Sequence, residues 1–254
     1  MGPTGRAQYG DTMDLGIKGR RAAVAGASSG LGLATAKSLA AEGVQVAICG
    51  RNEERLVTAA AEVGHGCIPI VADVSTPDGA TGFVNDASDA LGGVDILIPN
   101  AGGPSPGNFA ETSVEAYQEA IQLNLMSVVA MCKTAVPPMQ ERGWGRVIAI
   151  TSVSVRFPMS FLILSNTARS GATAFLKTVA GDVAADGVTV NSVQPGPHPT
   201  ARQDRLHSDE ERSHIRNGDV DDFGAVVTFL CSEQAKFTTG VQLLVDGGMF
   251  VGLP

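Results

Sequence analysis

The chain has 254 residues, 44% of them hydrophobic, 17% charged and 5% aromatic, with a formal net charge of −8. This composition can fill the core of one large α/β domain and excludes a disordered chain. The acidic balance argues against a nucleic-acid backbone or an anionic membrane surface as partner, and so few aromatics argue against a stacking platform for single strands.

Residues 1–12 (MGPTGRAQYGDT) contain no hydrophobic segment and read as a flexible N-terminal extension, not a secretory signal, ahead of a single domain over 13–254. No apolar run approaches the ~18 residues that a bilayer span requires. From Arg20 onward, short apolar runs alternate with segments of helical spacing. A strand is expected over 22–25, then a turn and helix (SSGLGLATAKSLAAEG) closed by Gly43. A strand over 44–49 leads to a polar helix from Asn52, and a strand over 67–71 leads to a helix over 77–91. A strand over 94–98 ends in PNAGG, and a long helix follows over 114–142, in which Pro137-Pro138 should kink or end the regular part. The strand at 147–151 feeds a helix over 160–185, and the strand at 188–193 ends in QPGP. A polar segment, 200–219, precedes a short helix over 221–231 and a last strand over 241–245. Such alternation implies a Rossmann-type doubly wound parallel sheet of about seven strands with helices on both faces, its buried strands apolar throughout. Cys49, Cys67, Cys132 and Cys231 lie apart in apolar runs with no CxxC motif, as expected of reduced core thiols in a cytoplasmic protein.

The turn after the first strand carries the spacing Gly26-x-x-x-Gly30-x-Gly32, with Ser28, Ser29 and Leu31 between the glycines. Glycines permit positive φ and close approach of a ligand, and the free N–H groups of the following helix favour a phosphate. Together with other motifs, this spacing resembles the short-chain dehydrogenase/reductase superfamily over residues 15–248. Asp73-Val74 resembles its adenine contact after the third strand, and Pro99-Asn100-Ala101-Gly102 its Asn-Asn-Ala-Gly. Pro195-Gly196-Pro197-His198-Pro199-Thr200 resembles the loop whose Thr helps to hold the nicotinamide carboxamide. Gly240 and Asp246-Gly247-Gly248 resemble its terminal signature. The chain departs from the family at Ala25, usually Thr, and at Pro99, usually Asn. Arg51 ends the second strand where enzymes that prefer NAD place an acid for the ribose 2′-hydroxyl. An arginine there can clamp a 2′-phosphate, so NADP(H) is favoured over NAD(H).

The family reduces carbonyls or oxidises alcohols with an Asn, a Ser, a Tyr and a Lys four residues after the Tyr. Asn124 and Ser152 match the first two, but the Tyr position falls on Ser165 and the Lys position on Arg169. The only tyrosines are Tyr9 and Tyr117, followed four residues later by Met13 and Ile121, so no shift of register restores the pair. A serine hydroxyl is a far weaker acid than a tyrosine near ~10, and arginine stays charged. Loss of general acid–base help slows a reaction by typically ~10²–10⁴. The resemblance implies an NADP(H)-dependent oxidoreductase of a carbonyl or alcohol compound, similar to 3-oxoacyl carrier-protein reductases and forming a homotetramer or homodimer. Arg169 would then hold the cofactor ribose. The competing reading is an NADP(H)-binding protein of the same fold without catalysis; a different reaction class on this scaffold is a third. His198 reads either as a substitute proton donor or as a surface loop residue. The apolar stretch 157–164 (FPMSFLIL) suits an acyl chain or a subunit contact equally, and Tyr117 should face a neighbouring helix or subunit. His207 and His214 fit no metal site and are expected to be solvated.

Overall fold

A single parallel sheet orders the molecule. Its strands are β1 (Arg21–Val24), β2 (Gln45–Gly50), β3 (Ile68–Val71), β4 (Ile96–Ile98), β5 (Gly145–Ile150), β6 (Val188–Pro195) and β7 (Gln242–Val245), in the spatial order β3-β2-β1-β4-β5-β6-β7. The computed structural model describes residues 13–252, so the expected extension lies outside the described residues. Every pairing is parallel, from Arg21 opposite Gln45 to Pro195 opposite Val245. Parallel strands need crossovers, and helices supply them on both faces. On one face α1 (Gly30–Ala41) and α2 (Glu53–Val63) join a core containing Val24, Ile48, Leu56 and Ile98. On the other face α3 (Pro77–Leu91) packs against a core built from Phe83, Leu97, Met131 and Val147.

Local chemistry sets the helix ends. Asn52 Oδ1 accepts from the Arg55 N–H at 2.8 Å, and Thr76 Oγ1 accepts from the Gly79 N–H at 3.1 Å with Pro77 at the first helical position. The long helix expected over 114–142 differs from expectation. It runs as α4 (Val114–Ile121), a π-helical turn (Gln122–Met126) and α5 (Ser127–Glu141). Pro137 and Pro138 do not end it; the helix continues to Glu141. The irregularity lies at the π turn instead, and Asn124 sits in it. By length and composition the stretch Val114–Glu141 could cross a bilayer, with a mean hydropathy of 1.2 in its most apolar window, and 44% of that window is buried. It packs between α3 and α6 (Ile163–Val183) as a core helix.

The remaining α-helices among the described residues are α7 (Ala201–Leu206), α8 (Asp209–Ser213) and α9 (Val220–Leu230). The first two place regular structure in the segment read only as polar, and α9 packs on α1. The strands are also less uniformly apolar than expected. Asp95, just before β4, is buried, and its carboxylate is gripped by Arg21 Nε and Nη2 at 2.8 and 2.7 Å. In β6, Thr189, Asn191, Ser192 and Gln194 are buried; Asn191 donates to the Thr238 carbonyl and accepts from the Val241 N–H. All four cysteines are free, and burial pushes the thiols of Cys67 up to about 11 and Cys132 to about 12, so they stay protonated at neutral pH.

Candidate active site and cofactor cradle

The strand order reverses direction between β1 and β4. The loops after these two strands open a crevice at the C-terminal edge of the sheet, where open α/β sheets take ligands. Gly26 and Gly30 hold φ of +57° and +59°, a region strained for residues with a Cβ. A Cβ on Gly32 would lie 2.6 Å from the Gly26 carbonyl oxygen. Asn100 ties the two loops together, its Nδ2 donating to the carbonyls of Ala25 and Gly26 at 3.2 and 3.1 Å. Ser28 lies over Gly50, Ser29 is the exposed N-cap residue of α1, and Leu31 is half-buried on the core. The first-turn N–H groups of a helix have no intrahelical acceptor. The loop therefore forms a cradle that a Cβ would fill, lined by donors at the positive end of α1, which fits the pyrophosphate of a dinucleotide.

Arg51 follows β2, is exposed and forms no ion pair among the described residues. Asp73 is exposed near it. Desolvation alone would raise the Asp73 carboxyl, but hydrogen bonds from Ser75 and the charge of Arg51 outweigh it and hold the group below its ordinary range. Val74 is buried in the core beneath. On the far side, Pro195 ends β6, and the Gly196 N–H donates to the Val245 carbonyl at 2.9 Å. The Thr200 methyl sits 3.2 Å from where a Gly30 Cβ would lie, so the loop after β6 closes on the glycine turn. Asp246 closes the terminal turn by accepting from the N–H groups of Gly248 and Phe250.

Ser152 follows β5 in extended conformation, φ −166°, and its Oγ accepts from the Ser154 N–H at 3.1 Å. That bond uses an oxygen lone pair and leaves the hydroxyl proton free to donate. Asn124 is buried; its Nδ2 donates to the Gly102 carbonyl at 2.9 Å, while Oδ1 has no partner among the described residues. The π turn aims it there. Ser165 and Arg169 occupy successive turns of α6 and are both buried. Arg169 Nη1 donates to the carbonyls of Ile150 and Thr151 at 3.0 and 3.1 Å, and Nη2 to Ala101 at 3.4 Å. The residue expected to reach ribose hydroxyls thus ties together the ends of β4 and β5 and keeps two N–H groups, on Nε and Nη2, without an acceptor among the described residues.

His198 is buried, which corrects its reading as a surface residue. Its Nδ1 lies 3.0 Å from the Gly196 carbonyl oxygen, and its ring stands edge-on to Phe223 at 5.3 Å between centroids. Phe157 and Phe161 are exposed, whereas Leu162 and Leu164 are buried. Segment 161–163 is bridged to Gly107, and Phe161 meets the His207 ring edge-on at 5.9 Å, so His207 is half-covered and not fully solvated. Tyr117 packs with Leu164 and Ala168 of α6, the neighbouring helix. No cluster of metal-binding side chains occurs among the described residues. Sequence reading missed Arg202, whose Nη1 donates to the carbonyls of Gly103 and Pro104 at 3.3 and 2.7 Å. Its position two residues after Thr200 was the only available signal.

The sheet order and switch-point crevice define a Rossmann-like α/β protein. A family model described as enoyl-(acyl carrier protein) reductase matches residues 26–250, and the chain belongs to this family within the short-chain dehydrogenase/reductase superfamily. The chain is 32% identical over 239 residues to nodulation protein G of Rhizobium sp. (strain N33), covering 92% of this chain and 98% of that protein. The fold is similar to L-sorbose reductase from Gluconobacter frateurii, a structure complexed with NADPH and L-sorbose, with a TM-score of 0.88, 30% identity, and 95% and 100% of the two chains covered. It is also similar to a 7α-hydroxysteroid dehydrogenase complexed with NADH, with a TM-score of 0.87, 25% identity, and 92% and 96% covered.

Proposed function

We propose that this chain is an NADP(H)-dependent oxidoreductase of a carbonyl or alcohol substrate, working with an atypical set of side chains. The observation that carries the reading is Ser152: its oxygen is fixed by the Ser154 N–H, so its hydroxyl proton is left to donate to a carbonyl beside the cradle. A bound nicotinamide supplies or accepts the hydride. Gly26, Ser28, Ser29, Gly30, Leu31 and Gly32 hold its pyrophosphate, Arg51 its 2′-phosphate, and Asp73 and Val74 flank the adenine. Asn100, Ala101, Gly102, Pro195, Gly196 and Thr200 line the path to the nicotinamide. Asn124 Oδ1, an orphaned acceptor, holds a water able to pass a proton. Ser165 and Arg169 stand in the places of the family's Tyr and Lys. Ser165 cannot act as an acid near neutral pH, so the proton comes from water, and turnover is slow. Within the apolar stretch 157–164, the exposed Phe157 and Phe161 suit an acyl chain, as in 3-oxoacyl substrates. Four unpaired cysteines support a reducing, cytoplasmic setting.

A second reading, a non-catalytic NADP(H)-binding protein, is favoured by the anchoring of Arg169 to three backbone carbonyls. The two separate on titration with NADPH and NADH followed by turnover on a panel of ketones and alcohols. We expect NADPH binding and slow oxidation of NADPH that Ser152→Ala removes. Tight binding with no turnover on any compound selects the second reading.

A further inference from the structure

Two guanidinium groups meet at the loop 101–104, on the edge of the crevice beside Ser152. Arg169 holds the Ala101 carbonyl, Asn124 the Gly102 carbonyl, and Arg202 the carbonyls of Gly103 and Pro104. Ala101 and Gly103 are two residues apart, a span of at most about 7 Å. The Arg202 Cζ lies 2.5 Å from where a Gly103 Cβ would be, so the position must be glycine for the guanidinium to lie over the loop. Arg169 also holds the carbonyl of Thr151, the residue before Ser152.

These cations have no acidic partner among the described residues, and the nearby acid on α7, Asp204, is taken by Arg212. Arg169 is only 9% exposed. Desolvation, followed by the charge of Arg202, pulls it down to about 10; desolvation, followed by the charge of Arg205, pulls Arg202 down to about 10. A guanidinium has five N–H donors. Among the described residues, Arg169 keeps donors without an acceptor on Nε and Nη2, and so does Arg202 on Nε and Nη2. Buried positive charge without a counter-ion is costly, and planar guanidinium forks match a carboxylate.

We propose that Arg169 and Arg202 together receive a carboxylate carried by the substrate, so that the carbonyl or alcohol compound is an acid anion whose apolar part lies along the exposed Phe157 and Phe161. This rests on the oxidoreductase reading and names its substrate class. The carboxylate sits at the guanidinium pair, leaving the Ser152 hydroxyl for the reacting oxygen. Asn124 Oδ1, an acceptor, takes no part in holding the anion.

The test compares hexanoate with hexanamide, which share shape and differ in charge, by calorimetric titration of the full chain with and without saturating NADPH. Hexanoate should bind at least tenfold more tightly than hexanamide. Arg202→Gln should remove that preference while changing NADPH affinity by less than twofold, and Arg202→Lys should restore part of it. Circular dichroism and thermal melting confirm that each variant is folded, and the wild-type comparison stands without them. Equal binding of the two probes to the wild type overturns the proposal. So does an Arg202→Gln variant that keeps the preference, or one that loses NADPH affinity tenfold, which would assign the guanidinium to the cofactor phosphates. If NADPH itself does not bind, the oxidoreductase reading fails, yet the hexanoate preference without cofactor still decides whether the anion site exists.

Discussion

Single side chains decide what this fold can do. The place of Arg51, exposed just after β2, was legible from the sequence, and its relation to a ribose phosphate is our proposal from the geometry of doubly wound sheets. The positions of Ser152, just after β5, and of Asn124, on the long helix before it, were legible in the same way. The bonding of Arg169 was not legible: its acceptors come from Ala101, Ile150 and Thr151, on segments far apart in the chain. Arg202 was hidden equally, since a lone arginine in a polar segment carries no periodic signal. At this scale the cofactor preference is testable. Arg51→Glu should weaken NADPH binding at least tenfold while leaving NADH binding unchanged or tighter, read by fluorescence titration. An unchanged ratio would assign Arg51 to solvent.

At the scale of elements, alternation of apolar runs gave the strands and helices in order, because buried parallel strands and crossover helices leave different periods. The helix 77–91 matches α3 at both ends, since Thr76-Pro77 and Gly92 are explicit start and stop chemistry. The π turn did not show in the sequence. Pro137 and Pro138 drew attention to the wrong end of the helix, while the irregular turn at Gln122–Met126 aims Asn124 at Gly102. Asp95 also escaped notice, as one charge inside an apolar run. Desolvation alone would raise its carboxyl, but bonds from Arg21 and the charges of Arg21 and Arg142 hold it below the ordinary range. Its folded pKa is depressed, so its contribution is present above the unfolded value near ~4 and lost as pH falls through the folded one. Asp95→Ala should therefore cost about 2–3 kcal/mol at neutral pH, or about 4–12 °C in Tm. The difference from wild type should shrink in melts below pH ~4. An equal difference at all pH values would contradict this account of the pair.

For the whole molecule, composition was enough to give the class, and the motifs enough to give the superfamily. Assembly is a matter of surface. Among the described residues β7 pairs only with β6, leaving an edge, and Phe229 on α9 and Phe237 after it are exposed. We infer a homodimer or homotetramer that covers such surface. Sedimentation at micromolar concentration should give two or four copies of the chain, and a single copy would contradict it. The central claim is that Ser165 and Arg169 stand at the acid and lysine positions of an oxidoreductase. The direct measurement is kcat, at saturating substrate, for NADPH-coupled reduction in the double variant Ser165→Tyr with Arg169→Lys, against wild type on the same carbonyl substrate. General acid–base help predicts a rise of about 10²-fold or more. A folded variant that binds NADPH and shows no rise would contradict the placement.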